Sequence, residues 1–110
     1  MARLNYVELP VSATGEAKRF YGEVFDWAFA DYGTDYAATT SGDVDVGLDA
    51  GDDAVTALLP VVQVEDLEAT VERVEAAGGN VTRPIFAFPG GRRFHFRDPH
   101  GNELAAMVPD

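Results

Sequence analysis

The strongest constraint on this chain is that its pattern runs through the same plan twice. The first half opens on Leu4-Asn5-Tyr6-Val7-Glu8-Leu9-Pro10-Val11, a strand-like run stopped by a proline. A helix start follows, with Thr14 read as its cap and Glu16 in its first turn. Ala17, Phe20, Tyr21, Val24 and Phe25 then recur at helical spacing and form one apolar face, which predicts that Phe20, Tyr21 and Phe25 are core. Three short strands are expected at 27–31, 35–40 and 44–49, separated by Gly33 and by Ser41-Gly42.

The second half begins with a strand over 59–65. Asp66 caps a helix whose inner face carries Leu67, Val71 and Val74, and Gly78-Gly79 ends it in the left-handed conformation. Strands are expected at 80–86, 92–97 and 103–108, with Asp98-Pro99-His100-Gly101-Asn102 as the turn before the last. Each half is therefore strand, helix, then three strands. That is an α+β fold of two βαβββ modules, about 3–49 and about 58–110, joined by a polar linker at about 50–57. A sheet covered by a helix on one face leaves the other face bare. Two such faces can enclose a concave pocket in an incomplete barrel, and a ligand would sit there.

Composition narrows the partners. Among 110 residues, 19 acids stand against 8 bases for a formal net charge of -11, a field that repels a phosphate backbone and excludes nucleic acid. With no cysteine there is no disulfide, thiolate nucleophile or Cys-based zinc site. The longest apolar run, 57–62, contains Pro60 and is too short to span a bilayer, and the N-terminal residues do not read as a secretion leader. A cytoplasmic setting is expected. Lys18 is the single lysine and eleven of the acids are aspartate, a hydrated surface suited to a salt-rich cytoplasm where counterions screen self-repulsion.

Three segments, Glu8-Leu9-Pro10-Val11, Phe20-Tyr21-Gly22-Glu23-Val24-Phe25-Asp26-Trp27 and Asp98-Pro99-His100-Gly101-Asn102, resemble the vicinal oxygen chelate superfamily. That group includes glyoxalase I, extradiol dioxygenases, fosfomycin-resistance transferases and bleomycin-binding proteins, so the resemblance identifies a scaffold rather than one chemistry. It implies a divalent metal acting as a Lewis acid, held by His, Gln or Glu from the first and last strands of each module. Here those positions fall at Tyr6, near Val46, near Leu59 and at Ala105, which supply no proper donor set. The usual metal site is therefore expected to be lost, with no cofactor. A rearranged divalent site would draw on Glu8, His95 and Glu103.

Strand alternation places Tyr6 beside Glu8, Gln63 beside Val61, and Glu103 beside Ala105. The resemblance adds Arg93, His95 and Arg97 on the concave side and puts Phe94 and Phe96 under the helix. Glu8 and His95 are the catalytic candidates, Glu8 as a general base or as one half of an ion pair with Arg93 or Arg97, and His95 as a proton carrier titrating near neutrality. Tyr6, Gln63, Trp27, Arg93 and Glu103 are expected to line the pocket, with Tyr32 and Tyr36 as further wall candidates. His100 is read as surface, and the acids between Asp43 and Asp53 as solvated. Phe86 to Gly91 is expected to be a loop between strands, or a lid with a Gly-Gly hinge. A small-molecule-binding protein is the leading expectation. A glyoxalase- or dioxygenase-type enzyme with the rearranged site is the alternative, a side-chain-filled assembly protein the third, and a homodimer is expected in each.

Overall fold

The structure, a computed structural model, describes residues 2–54 and 56–110; Met1 and Val55, the latter inside the expected linker, lie outside the described residues. The element order is β1 (Arg3–Pro10), α1 (Thr14–Phe25), β2 (Phe29–Asp31), β3 (Tyr36–Thr39), β4 (Asp45–Asp49), β5 (Leu59–Gln63), α2 (Leu67–Ala76), β6 (Asn80–Phe88), β7 (Gly91–Arg97) and β8 (Glu103–Pro109). The α+β fold and both βαβββ modules are present. The chain forms two compact units, Tyr6–Leu59 and Met1–Asn5 with Pro60–Asp110. In the first the strand order is β2-β3-β4-β1, in the second β5-β8-β7-β6. β2 and β6 end these orders, so neither sheet closes into a barrel.

In the second unit the sequence rules hold closely. The Asp66 carboxylate accepts the Ala69 N–H at 3.0 Å and caps α2. Gly78 ends the helix at φ 97°. Leu67 packs on Phe94 and Ala106, with Val71, Val74, Val81, Ile85, Phe96 and Val108 around them. Phe94 is fully buried, as expected of a residue under the helix. Burying a side chain of that size contributes about 2–3 kcal/mol. Alternation then sends Arg93, His95 and Arg97 to the opposite face, where His95 stands across from Ala105, Arg93 from Met107 and Arg97 from Glu103.

The turn before β8 is held by Asp98. Its carboxylate accepts from the His100 and Asn102 backbone N–H groups and from the Asn102 amide at 2.8, 3.0 and 2.9 Å, and Gly101 adopts φ 88°. His100 is exposed, as expected.

The first unit departs from its sequence reading at the helix. Phe20, Val24 and Phe25 are all more than half exposed, and α1 contains no buried residue. Ala17 and Tyr21 alone of the apolar set are half-buried. Periodicity identifies an apolar face but not what covers it. Here the aromatic side chains lie on one another instead: Phe20 meets Tyr21 edge-on at 5.1 Å, and Trp27 packs on Phe25 at 5.1 Å and Tyr21 at 5.7 Å. The helix starts one residue earlier than the sequence suggests. Ala13 is its N-cap, without a side-chain bond, and the Thr14 hydroxyl donates to the Thr34 carbonyl at 3.1 Å. Asp26 ends it at φ 62°, a left-handed position that short polar side chains tolerate.

Two further expectations change. Asp45 and Asp49 are structural rather than simply solvated. Asp45 accepts from the Thr39 hydroxyl and the Ser41 N–H at 2.7 Å each, bonds that hold its carboxyl below the ordinary range, and Asp49 accepts from the Gly51 N–H. The 86–91 segment does connect two strands, as expected, but most of it is strand and the connection is shorter than the loop the sequence suggests. β6 runs through Phe88, which pairs with Gly91, leaving Pro89-Gly90 as a two-residue hairpin turn.

Candidate functional site

Glu8 is buried in the middle of β1 in the first unit. Parallel pairing of β1 with β4 sets Tyr6 beside Asp45 and Glu8 beside Gly47, and antiparallel pairing sets Gly47 beside Ala38 on β3. Tyr36, two residues before Ala38, therefore shares this face. The Tyr36 hydroxyl donates to Glu8 Oε2 at 2.9 Å and makes a short hydrogen bond with the Tyr6 hydroxyl. Tyr36 has one proton and gives it to the carboxylate, so Tyr6 is the donor of that second bond. The chain runs Tyr6 to Tyr36 to Glu8. Burial, then the negative charge of Glu8 and the bond with Tyr6, push the Tyr36 phenol far above its ordinary value, so it stays protonated.

Gly47 is what makes room for this network. A Cβ there would overlap both the Tyr6 and the Tyr36 hydroxyls. The register also corrects the expected alignment near Val46. Val46 pairs with Val7 and faces away from Glu8, whereas Gly47, the β4 residue paired with Glu8, is on the face of Tyr6 and Glu8. We expect Tyr36→Phe to lower unfolding free energy by about 2 kcal/mol, because a buried carboxylate loses a charge-assisted bond. Urea unfolding checks it, and a double-mutant cycle with Glu8→Gln should give a non-zero coupling energy.

In the second unit the face opposite α2 carries the other candidates. Gln63 accepts the Asn5 amide at 3.0 Å, and the same amide lies 3.7 Å from Met107 Sδ. Glu103 accepts the Thr82 hydroxyl at 2.8 Å and lies 3.9 Å from the Arg97 guanidinium. His95 is 5% exposed. Its Nδ1 lies 3.8 Å from Glu103 Oε2, too far for a hydrogen bond, and its Nε2 is buried with no hydrogen-bond partner among the described residues. Phe86 meets the imidazole edge-on at 5.6 Å. Burial and the positive charges of Arg93 and Arg83 lower the His95 pKa to about 4 against the opposing pull of Glu103. The imidazole is therefore neutral at pH 7, not the near-neutral proton carrier its sequence context suggests.

Trp27 stacks on Tyr21 and Phe25 beside α1, and Tyr32 meets Tyr36 edge-on at 6.4 Å. Arg93 lies over Phe86 and Phe88, at 5.4 and 5.2 Å from the ring centres. Sequence reasoning missed Tyr36 as the donor to Glu8, missed Arg83 altogether, and read Phe86 only as the start of the 86–91 loop or lid rather than as a strand residue against His95. Pro84 was the available signal, since proline inside a strand marks an edge or a bulge.

The divalent metal implied by resemblance does not fit these residues. Ala105 has no donor atom and is fully buried opposite His95 and Val61. At the matching place in the first unit, Gly47 has no side chain and no room for one. The Tyr6 hydroxyl is engaged with Tyr36, which keeps its own proton. Among the described residues no three His, Cys, Asp or Glu side chains form a group that could hold a metal ion.

Comparison with solved structures places the fold. A hypothetical protein from Bacillus halodurans C-125 superposes with a TM-score of 0.79 at 11% identity, covering 99% of this chain and 95% of that one. Methylmalonyl-CoA epimerase from Mycobacterium tuberculosis gives 0.76 at 14% identity over 97% and 87%. The Mn(II)-bound glyoxalase from Novosphingobium aromaticivorans gives 0.72 at 22% identity, with 98% of this chain matching 40% of that one. No curated protein sequence matches significantly. The sequence model of one family spans residues 3–106, and on that match the chain belongs to the Glyoxalase/Bleomycin resistance protein/Dioxygenase superfamily.

Proposed function

We propose that this chain is a small-molecule-binding member of its superfamily that holds its ligand without a metal. The observation that carries the reading is His95: a neutral, buried imidazole whose Nε2 has no hydrogen-bond partner among the described residues, beside an aromatic ring and two arginines. A buried polar atom without a partner costs about 1–3 kcal/mol, which a ligand atom at that place recovers. Gln63 and Glu103 share the face, and Glu8 with Tyr6 and Tyr36 forms a separate polar network in the first unit. The donor set argues against the Lewis-acid chemistry of metal-bound relatives, because the positions that would ligate are alanine, glycine and a hydrogen-bonded tyrosine.

The test is a melting-temperature screen of small organic molecules on the full chain, run beside additions of Mn²⁺, Fe²⁺, Zn²⁺ and Ni²⁺. Binders should raise the melting temperature of the wild type and not of His95→Phe, and the four ions should leave it unmoved. Stoichiometric metal in the purified protein, lost in a Glu8→Gln or His95→Phe variant, would replace this reading with the enzyme.

The acidic, lysine-poor composition supports a protein of a salt-rich cytoplasm, and the exposed Phe20, Val24, Phe25 and Trp27 support a homodimer. A KCl series addresses both. The melting temperature should fall steeply as salt is withdrawn, and sedimentation in high salt should give twice the mass of one chain. A salt-independent melt and a monomer's mass would refute the two statements respectively.

A further inference from the structure

β6 is built to carry an arginine on an aromatic ring. In its pairing with β7, Val81 stands opposite Phe96, Arg83 opposite His95 and Phe86 opposite Arg93, with a register shift on each side of Arg83. In a regular strand Val81 and Arg83 would share a face, and Arg83 and Phe86 would point to opposite faces. The shifts reverse both relations. Val81 and Ile85 join the apolar cluster under α2, while Arg83 and Phe86 go to the His95 face. The Arg83 guanidinium lies 3.6 Å from the centre of the Phe86 ring. That contact orders the guanidinium and leaves its N–H edge available.

Charge completes the argument. On a chain of net charge -11, Arg83, Arg93 and Arg97 all come from β6 and β7; Arg97 lies 3.9 Å from Glu103, and Arg92 on β7 is paired with Glu68 at 2.8 Å. Among the described residues Arg83 has no ion pair, and it stands directly across from His95. A local cationic group beside a half-buried aromatic ring, on an otherwise acidic protein, fits a ligand of opposite charge with an apolar body.

Resting on the binding reading above, we infer that the ligand is an organic anion, an aromatic or aliphatic carboxylate. Its charged group is held by Arg83 on the Phe86 ring, and its body lies against Phe86 and His95. Arg83 supplies the planar two-pronged donor that matches a carboxylate. His95 Nε2 supplies the polar contact that orients the molecule.

The test uses three probes of nearly one shape: benzoate, benzyl alcohol and benzylamine. Each is titrated into the full chain while the imidazole signals of both histidines are followed by NMR, His100 on its exposed turn serving as the internal control. Benzoate should move His95 and not His100, with an affinity about tenfold above that of benzyl alcohol, and benzylamine should be weakest. In Arg83→Gln, an exposed position whose change should leave the melting temperature as it is, benzoate should fall to the level of benzyl alcohol. Arg83→Lys should recover only part of the preference. If benzyl alcohol binds as well as benzoate, or the preference survives in Arg83→Gln, the anion assignment is wrong and the binding reading stands. If none of the three moves His95, both fall.

Discussion

Between pH 6.5 and pH 4 this protein should lose about 3 kcal/mol of unfolding free energy through one side chain, His95. In the unfolded chain its imidazole takes a proton near 6.5, and in the fold only near about 4. Inside that window the unfolded state binds more protons, so stability rises with pH. The contribution is complete above 6.5, declines by up to roughly 1.4 kcal/mol per pH unit below it, and is gone by about 4. Burial is the main cause, since charging the ring means solvating a cation where water does not reach. Arg93 and Arg83 add repulsion, and Glu103 offsets part of it.

Asp45 and Asp98, two of the carboxylates whose values are lowered, lose their contributions as pH falls through their folded values below the ordinary 3.8, beneath this window. The exposed Glu68, held low by its bond with Arg92, loses its own below the ordinary 4.5, at the window's lower edge. Urea unfolding at pH 7, 6, 5 and 4 measures the effect. His95→Phe, which keeps an aromatic ring against Phe86, should flatten the curve across the window. A wild type and variant that fall in parallel would show that His95 is not the group responsible.

Replacing Gly91 with alanine should cost at least about 3 kcal/mol, near the upper end of what overpacking does to a protein. Gly91 is buried at the start of β7, paired with Pro109 and with Phe88 across the hairpin. A Cβ there would run into the Val108 carbonyl oxygen, and backbone cannot swing aside as a side-chain tip can. The neighbouring Gly90 sits at φ 117°, a left-handed position that resists substitution as well, so the hairpin has little slack. Gly15→Ala is the matched control. Its Cβ would meet nothing within 4 Å on α1, and alanine there should be neutral or stabilise by about 0.5 kcal/mol. Equal midpoints for wild type and Gly91→Ala would mean the β7–β8 pairing accommodates a methyl group that the geometry leaves no room for.

The sequence made the fold legible wherever a local rule had one physical outcome. Asp66 before an apolar periodic run can only help as a cap, Gly78 after it relieves a left-handed residue, and the alternation of Phe94 and Phe96 with Arg93, His95 and Arg97 sorts two faces. The same logic singled out Glu8 and His95 as polar residues in apolar strands, and both are buried. Where a local pattern has several tertiary outcomes, the reading failed. The α1 periodicity is real, yet Phe20 and Phe25 are exposed, since an apolar face does not carry the identity of its cover. His95 looked like a neutral-pH titrator because the sequence cannot weigh burial and two arginines against one glutamate. Tyr36 could not be joined to Glu8, since that contact needs β3, β4 and β1 side by side in one register. Arg83 and Phe86 were hidden by parity, because strand alternation counts in twos and β6 breaks the count twice.

Those same two register shifts have a consequence for the protein's life in solution at high concentration. β6 has nine residues and stands at the end of the strand order, with one row of backbone groups unpaired within the sheet. A long, flat edge of that kind invites a strand from another molecule to dock and extend the sheet. Here each shift interrupts the regular spacing of amide and carbonyl groups, and Pro84 offers no N–H at all. An incoming strand would find no continuous ladder to follow, and the guanidinium of Arg83 would meet it at the same stretch. Straightening β6 would thus do more than disperse Arg83 and Phe86: it would turn a guarded margin into a template for aggregation.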